Sequence, residues 1–469
     1  MVGSIRVFND TIAAIATSLG EAGIGIVRIS GSQAISIADQ IFTAKGKKKI
    51  ADMKGFQLRY GRVIDLEQNT IDEVLVALMR APKSYTGEDV VEIQCHGGIV
   101  VQKKILDLVL SLGARLAQPG EFTKRAFLNG RIDLSQAEAV IDIIRSKTET
   151  GLDLAVQQLE GSLSRRIKTA REQLYNIIVR VEASIDFPED DIPEVEYQEM
   201  AEILHKIKKE IDNLIKTADE GQVFREGIKT VITGKPNVGK SSLLNRLLDE
   251  NRALVTDIPG TTRDVIEEVL NLNGIPFRLL DTAGIHRAKD QVEQLGVARA
   301  LELIREADLV LHVLDISRFI EPEDKELLNL TAEKKRIIVI NKTDLPAKWQ
   351  GADYLFNNAY VKENTPIVEI SLTEDSLDLL TDKIVGLVMS GIVSPGQESA
   401  VIIRARHKQA LVEAQHDLQQ AIDTLDKGLP VDLISIGLYG ALEHLGEITG
   451  ETVRDNIIEQ IFAQFCIGK

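Results

Sequence analysis

A glycine-rich segment near the middle of the chain constrains the fold more than any other feature of the sequence. The segment Gly234-Lys235-Pro236-Asn237-Val238-Gly239-Lys240-Ser241 follows an apolar stretch, 228–233, and opens an amphipathic stretch, 242–248. In this strand, loop and helix order, successive backbone N–H groups of the loop can bind phosphate oxygens at a helix N-terminus. The sequence therefore predicts a phosphate-binding loop, in which Lys240 reaches the β- and γ-phosphates and Ser241 ligates Mg²⁺. Taken alone, the segment is also compatible with an ordinary glycine-rich turn.

Three further motifs follow at the spacing of a guanine-nucleotide-binding domain. Asp281-Thr282-Ala283-Gly284 ends an apolar stretch, where its carboxylate can reach Mg²⁺ through water. Asn341-Lys342-Thr343-Asp344 ends another, and Asp344 can accept hydrogen bonds from the N1–H and the exocyclic amine of guanine, a donor pair that adenine lacks. Ser371-Leu372-Thr373 is a weaker candidate for the last base-contacting loop. The four motifs in this order predict GTP binding.

The residue that orients the attacking water has to differ from the one in Ras-like enzymes, which place a Gln directly after the Asp-x-x-Gly motif. Here that position is Ile285, followed by His286, and an aliphatic side chain cannot orient water. The catalytic group must therefore come from elsewhere in the chain or from a partner, and within the chain His286 and Glu293 are the two polar candidates. We favour Glu293, because a single histidine in a switch loop is more often solvated.

Asn237 also suggests a monovalent cation beside the phosphates. Its side-chain oxygen, together with carbonyls of the segment 251–264, could coordinate such an ion in the place of an arginine finger, a role worth about 10³–10⁵ in rate in other GTPases. The alternative is that Asn237 only caps a turn. Thr262 is the natural second Mg²⁺ ligand, and Thr261 supports the same loop.

Length, charge and cysteine content indicate a cytoplasmic protein of several domains. A chain of 469 residues is too long for one core and suggests about three domains. The formal net charge of −16 argues against a general nucleic-acid coat, although a local basic face could still hold an RNA. Two cysteines, Cys95 and Cys466, give neither a disulfide framework nor a zinc cluster. No apolar signal core and no membrane-spanning stretch are found, so no membrane association is expected.

The pattern along the chain predicts a multidomain fold. Residues 1–120 alternate short strands with helices and indicate an α+β N-terminal domain. Helical periodicity over 121–226 and 393–469 predicts a mostly α-helical domain in two parts, and 227–392 predicts an inserted Ras-like α/β P-loop GTPase domain. Asn273-Gly274 between two alternating stretches predicts a β-hairpin. Two independent helical domains are the alternative to one split domain.

Beyond these motifs, the chain closely resembles the MnmE (TrmE) family of tRNA-modification GTPases over its whole length. The resemblance is carried by segments in every predicted domain and by the last tetrapeptide, Cys466-Ile467-Gly468-Lys469. The other carriers are 25–31 (GIVRISG), 84–92 (SYTGEDVVE), 95–98 (CHGG), 119–130 (PGEFTKRAFLNG) and 256–264 (TDIPGTTRD).

The resemblance implies a potassium-dependent GTPase whose nucleotide-binding domains pair across a homodimer. The implied ligands are K⁺ at Asn237, Thr256, Ile258 and Thr261, and Mg²⁺ at Ser241 and Thr262, with Glu293 as the catalytic residue that orients water. The expected GTP-binding residues are Asn237, Val238, Gly239, Lys240, Ser241, Ser242, Thr256, Asp257, Ile258, Pro259, Gly260, Thr261, Thr262, Asp281, Thr282, Ala283, Gly284, Asn341, Lys342 and Asp344.

The resemblance also implies a folate-binding N-terminal domain and work on tRNA. With the flavoprotein MnmG, the family adds an aminomethyl-type group, such as carboxymethylaminomethyl, to C5 of the wobble uridine, using a one-carbon unit of 5,10-methylene- or 5-formyl-tetrahydrofolate. Matching positions place the folate site at Arg28, Glu92, Arg131 and Lys469, although Arg131 stands where relatives can carry Lys. Cys466 is expected near the folate, as a nucleophile or as part of the packing of the tail.

The runner-up function is a ribosome-assembly GTPase, a binding switch that performs no chemistry on RNA. Such proteins usually carry an RNA-binding appendage, and no basic tail or KH-like Gly-x-x-Gly loop follows the nucleotide-binding motifs. The end of the chain only superficially fits a prenylation box, because Lys469 is an atypical last residue. For Cys95 we expect a buried, inert thiol, since a cysteine in a strand is usually buried.

Overall fold

The computed structural model describes residues 10–44, 49–186, 194–251, 268–280, 302–390 and 404–469. Within these ranges the chain forms a seven-stranded sheet, a set of long helices, and a six-stranded, mostly parallel sheet with helices around it. The expected fold class is confirmed: an α+β N-terminal part, a mostly α-helical part and an inserted α/β part. The boundaries at 120, 226 and 392 stay predictions. No helix in the described ranges is long and apolar enough to cross a bilayer.

The first sheet is made by the N-terminal part of the chain. Its strands are β1 Ile12–Ile15, β2 Gly25–Ser30, β3 Phe42–Thr43, β4 Gln57–Ile64, β5 Thr70–Met79, β6 Val90–Cys95 and β7 Arg115–Leu116, in the order β3-β4-β5-β6-β2-β1-β7. Helices α1 (Ala34–Ile41) and α2 (Ile99–Ser111) share a hydrophobic core with the sheet. In β5 the side chains of Val74, Val76 and Leu78 are buried in that core, because alternate residues of a strand point to the same face.

The helical part is assembled from two segments of chain that lie on either side of the second sheet in sequence. The first segment holds α3 Glu121–Leu128, α4 Leu134–Arg145, α5 Glu149–Leu159, α6 Ser162–Asp186, α7 Glu194–Lys216 and α8 Ala218–Glu226. A single core joins α6 and α7 to two helices that follow the second sheet, and its members include Leu174, Leu204, Leu418 and Leu438. The two helical segments are therefore parts of one packed unit.

The second sheet lies between those segments and has the order β13-β12-β11-β8-β10-β9. Its strands are β8 Ile228–Thr233, β9 Glu268–Leu272, β10 Ile275–Leu279, β11 Leu309–Asp315, β12 Arg336–Asn341 and β13 Ile367–Ile370. Only the β9–β10 pair is antiparallel, and Asn273-Gly274 connects it with positive φ at both residues, which confirms the predicted hairpin. Helices that follow β8 in the described parts of the chain include α9 Lys240–Asn251, α10 Pro322–Leu330, α11 Gly351–Asn357, α12 Asp378–Met389, α13 Ala405–Asp426, α14 Val431–Thr449 and α15 Asp455–Phe462.

Candidate nucleotide and folate sites

The predicted phosphate-binding loop connects β8 to α9 at the carboxyl end of the parallel strands. Its backbone has positive φ at Gly234 (141°), Asn237 (67°) and Gly239 (108°). A Cβ atom on Gly239 would lie 2.2 Å from Nδ2 of Asn341, so both the backbone conformation and the space there require glycine. The glycine therefore lets the loop approach the neighbouring β12 loop closely.

Lys240, the first residue of α9, folds back over this loop. Its Nζ donates hydrogen bonds to the carbonyl oxygens of Gly234 (2.7 Å) and Lys235 (2.6 Å). Burial lowers the pKa of Lys240. Val238 of the loop is buried, and Ser241 and Ser242 follow Lys240 in the first turn of the helix. A positive charge and a helix N-terminus thus meet where the sequence predicts the phosphates of a nucleotide.

The structure brings the predicted guanine-binding residues against the phosphate loop. Asn341 ends β12; its Nδ2 donates to Val238 O (2.8 Å), and its Oδ1 accepts from the Leu372 amide at 3.3 Å. Lys342 Nζ donates to Asn237 O at 2.9 Å. Asp344 Oδ1 accepts from the Ser371 hydroxyl at 2.8 Å. The phosphate loop, the Asn-Lys-Thr-Asp segment and the Ser-Leu-Thr segment therefore form one continuous set of contacts.

Two residues that hold this set together were not found by sequence reasoning. Asp315, the last residue of β11, accepts from Lys342 Nζ at 2.6 Å; burial opposes its ionisation, but the contact with Lys342 keeps its pKa below the ordinary value. Arg246 on α9 donates from Nη1 to Leu372 O and to Asp375 O, both at 2.8 Å. Asp315 ends an apolar strand, and a carboxylate at that position is a weak sequence signal for a functional residue. Arg246 lies on a helix, where an arginine gives no such signal.

The remaining predicted nucleotide, metal and catalytic residues lie outside the described residues. Placement of the Mg²⁺ and K⁺ ligands and of the water-orienting residue therefore stays a prediction. These residues are Thr256, Asp257, Ile258, Pro259, Gly260, Thr261, Thr262, Asp281, Thr282, Ala283, Gly284, His286 and Glu293.

A second candidate site lies on the N-terminal sheet. Arg28 on β2 and Glu92 on β6 are direct cross-strand partners, and Arg28 Nε donates to Glu92 Oε1 at 2.8 Å. Nη1 of Arg28 also donates to Gly468 O at 3.2 Å. The guanidinium lies 5.5 Å from the ring centroids of both Tyr85 and Phe122, within cation–π range. The C-terminal tail thus reaches this sheet.

Tyr85 connects Arg28 to another predicted folate residue, Arg131. The Arg131 guanidinium lies 5.1 Å from the same ring, and its Nη1 donates to Tyr85 O at 2.5 Å. Tyr85 belongs to one of the segments that carry the family resemblance, but sequence reasoning assigned it no role in the site. Lys469 lies next to this group: burial, and after it the charge of Arg28, lowers its pKa, while Lys469 O accepts from the Phe122 amide at 3.2 Å. Arg28, Glu92, Arg131 and Lys469 are brought to one place.

The two cysteines have different environments. Cys466 is exposed, and its carbonyl accepts from the Gly120 amide at 3.3 Å. Cys95 is buried, its Sγ lies 3.4 Å from Gly25 O, and burial together with Asp72 raises its pKa to about 11. A thiol held in its protonated form is a poor nucleophile, so Cys95 fits the expected inert role.

Comparison with known families decides the assignment of the chain. Residues 11–131 match the family described as GTP-binding protein TrmE N-terminus, and residues 134–466 match the MnmE helical domain. The chain is 49% identical to the tRNA modification GTPase MnmE of Clostridioides difficile over 98% of this chain and 99% of that protein. This chain belongs to the MnmE family of tRNA modification GTPases.

Two further relatives agree with this assignment. The MnmE proteins of Thermoanaerobacter pseudethanolicus and Alkaliphilus oremlandii are 50% and 48% identical, each over 98% of this chain and 99% of the relative. Among solved structures, Era of Aquifex aeolicus is 27% identical over 41% of this chain and 67% of that chain, with a TM-score of 0.26. Membership of the MnmE family favours tRNA modification over the ribosome-assembly switch.

Proposed function

We propose that this protein is a potassium-dependent GTP hydrolase that, with the flavoprotein MnmG, adds a carboxymethylaminomethyl-type group to C5 of the wobble uridine of certain tRNAs. A reduced folate, 5,10-methylene- or 5-formyl-tetrahydrofolate, supplies the one-carbon unit. The observation that carries the proposal is that a phosphate loop joined to guanine-binding segments and a separate cationic cluster occur in one chain of the MnmE family.

The described residues of the nucleotide site fit GTP. The loop backbone and Lys240 are suited to the phosphates, and Asp344 to the guanine edge. Ser241, with Thr262, would hold Mg²⁺, which when bound neutralises charge on the β- and γ-phosphates. Without a nucleotide, Lys240 Nζ donates hydrogen bonds to two loop carbonyls. When GTP is bound, the same N–H groups would donate to its phosphate oxygens. The chain's own residues therefore position the phosphates and select the base.

Hydrolysis without the usual Gln is assigned to Glu293, with K⁺ held by Asn237, Thr256, Ile258 and Thr261. Glu293→Ala should slow single-turnover hydrolysis by about 10²–10³-fold, or roughly 3–4 kcal/mol, without weakening GTP binding. His286→Ala is the matched control and should change the rate little. Hydrolysis should be faster in K⁺ than in Na⁺, and Asn237→Ala should remove that difference. Equal rates in both salts for the unmodified protein would contradict the cation assignment.

The cationic cluster fits a reduced folate because a folate carries both a hydrogen-bonding pterin edge and carboxylates. Arg28 is held by Glu92 and by two aromatic rings, so its donors are oriented before a ligand arrives. Arg131 and Lys469 add positive charge that attracts the carboxylates. Arg28→Ala should weaken binding of 5-formyl-tetrahydrofolate in calorimetry and leave GTP hydrolysis intact. Wild-type folate affinity in both Arg28→Ala and Arg131→Ala would refute this placement.

The partners of the proposed reaction are tRNA, MnmG and a second copy of this chain. Analysis of wobble nucleosides in bulk tRNA tests the function as a whole: a strain that lacks the protein should lose the carboxymethylaminomethyl-type modification. The wild-type chain should restore it, whereas Arg28→Ala should not. Modified wobble uridine at normal levels in the deletion strain would exclude the proposed function.

A further inference from the structure

Two arginines, one before and one after the nucleotide-binding sheet in sequence, contact the same carboxylate. Arg225 lies in the last turn of α8, three residues before β8 begins, and its Nε donates to Asp142 Oδ1 at 3.0 Å. Arg404, directly before α13, donates to Asp142 from Nη2 at 2.8 Å and from Nε at 3.2 Å. Asp142 on α4 therefore contacts the chain just before it enters β8, through Arg225, and at the start of the second helical segment, through Arg404.

A second buried carboxylate, one turn earlier on α4, strengthens this junction. Glu138 accepts from Arg406 at 3.2 and 2.8 Å, and from Nε2 of the fully buried His407 at 2.7 Å. Burial alone would raise the pKa of Glu138, but the contacts with His407 and Arg406 outweigh it and hold the pKa well below its usual range. Burial lowers the pKa of His407, and because the ionised Glu138 carboxylate can only accept, Nε2 of His407 is the donor in this hydrogen bond. We call Glu138, Asp142, Arg225, Arg404 and Arg406 the α4 junction.

The junction resists relative movement of the parts that it joins. Asp142 and Arg404 are only 7% and 9% exposed, so separating them would leave charges buried without partners. Removal of one partner of a buried ion pair is strongly destabilising, because it leaves the other charge without compensation. A displacement of β8 that moves Arg225, three residues before it, is thus passed on to α4 through Asp142.

The same helix continues to the C-terminal tail. Arg145, in the last turn of α4, donates from Nη2 to Gln464 O at 2.6 Å, two residues before Cys466. Leu134 and Ile141 of α4 pack in one core with Ile461 and Phe465. The helix that binds Arg225 and Arg404 is therefore also in contact with the C-terminal segment that ends at the cationic cluster.

We propose that Asp142 is a positioning residue that conveys the nucleotide state of the GTP-binding unit through α4 to the C-terminal tail at the folate site. This inference rests on the proposed function, because it assumes that GTP is the ligand of the phosphate loop. It supplies a physical route by which GTP hydrolysis influences a site on a different sheet. It also predicts that neutralising Asp142 uncouples the two sites without removing either.

The thiol of Cys466 can be used to follow the C-terminal tail, because it can be modified chemically without introducing another cysteine. The chain has two cysteines, and Cys95 is buried with its pKa raised to about 11, so a thiol reagent at neutral pH reacts with the exposed Cys466. The reaction rate is measured on the full-length protein without nucleotide, with GDP and with a non-hydrolysable GTP analogue. In the wild type, the GTP analogue should change the rate by about fivefold or more relative to GDP, the lower range of typical coupling between sites.

The variants distinguish coupling from general damage. Asp142→Asn should give the same rate of Cys466 modification with either nucleotide while still binding and hydrolysing GTP. Arg225→Gln, which leaves the Asp142–Arg404 contact in place, should reduce the nucleotide response and serves if Asp142→Asn does not fold. Glu210→Gln is the matched control, since Glu210 pairs with Arg166 between α6 and α7 away from the junction, and it should keep the full response.

Two results would overturn the inference, and a third would overturn its premise. A Cys466 rate that is independent of nucleotide in a wild-type protein that hydrolyses GTP would exclude coupling to the tail. A full nucleotide response in Asp142→Asn, or in Arg225→Gln if the first variant does not fold, would show that the α4 junction does not carry it. Absence of GTP binding by the wild type, measured in the same samples, would instead refute the proposed function.

Discussion

The histidine buried in the second sheet makes the stability of the nucleotide-binding unit sensitive to acid. His312 lies in β11, between β8 and β12, and is 0% exposed. Neither of its ring nitrogens has a hydrogen-bond partner within the ranges that the structure describes. Burial, followed by the charges of Arg336 and Lys240, lowers its pKa to about 3. The ring is therefore neutral in the folded protein at any pH near neutrality.

The size of the effect follows from the difference between the folded and unfolded pKa values. An unfolded histidine binds a proton near pH 6.5, whereas His312 in the folded chain does so only near pH 3. Below pH 6.5 the unfolded state thus holds more protons, and the free energy of unfolding falls by about 1.4 kcal/mol per pH unit. Between pH 7 and pH 5 this amounts to about 2 kcal/mol. His312→Leu removes that contribution and fills the site with an apolar side chain.

The chain contains its own reporter for this unit. Trp349 is the single tryptophan, it is buried, and its Nε1 donates to Asp315 O at 3.1 Å, at the end of the strand that carries His312. Urea unfolding followed by tryptophan fluorescence therefore reports on the sheet in question. The wild type should lose about 2 kcal/mol more than His312→Leu between pH 7 and pH 5. His205→Gln, at an exposed position on α7, should behave as the wild type.

Equal pH dependence in the wild type and in His312→Leu would refute this reasoning. It would mean that the folded state accommodates the proton on His312, through a rearrangement of β11 or entry of water. Other groups that titrate in the same range are common to both proteins, so they cancel in the comparison.

Three predictions concern the nucleotide site. Asn341→Ala removes two hydrogen bonds of about 1 kcal/mol each, one to the phosphate loop and one to the Leu372 loop, so the affinity for GDP in calorimetry should fall by about thirtyfold. An unchanged affinity would show that these two contacts do not support nucleotide binding. Arg246→Ala should raise the Kd for GDP by about tenfold, because it removes the hydrogen bond that holds the Leu372 loop. Glu250→Gln removes only the exposed ion-pair partner of Arg246 and should leave the Kd unchanged. Asp344→Asn should shift a competition assay from GTP towards xanthosine triphosphate, and retention of the guanine preference would argue against its role.

Local motifs were the part of the fold that the sequence could predict. The phosphate loop, the Asn-Lys-Thr-Asp segment and the Asn273-Gly274 hairpin each combine a backbone requirement with residue types that few other sequences meet. The order of strands and helices then followed from hydrophobic periodicity. Chemistry that depends on consecutive residues can therefore be recognised from the amino-acid sequence alone.

Contacts between distant segments could not be predicted. Tyr85 lies between Arg28 and Arg131, which are 103 residues apart in sequence, and nothing local to Tyr85 indicates that arrangement. Arg246 and Asp142 are likewise ordinary charged helix residues whose roles depend on the loops or arginines that the fold brings to them. Predicted residues in 252–267 and 281–301 have only their motifs and the family resemblance to support them.

The divided helical core has a consequence for the synthesis of the protein. Helices α6 and α7 emerge from the ribosome with apolar faces whose partners, α13 and α14, follow only after the whole nucleotide-binding sheet has been made. Until then about half of that core is open to solvent, and exposed apolar surface of this kind favours aggregation. Rapid folding of the inserted sheet would bring α13 back towards its partners, so a mutation that delays the sheet should harm the yield of the helical unit, although it changes none of its residues.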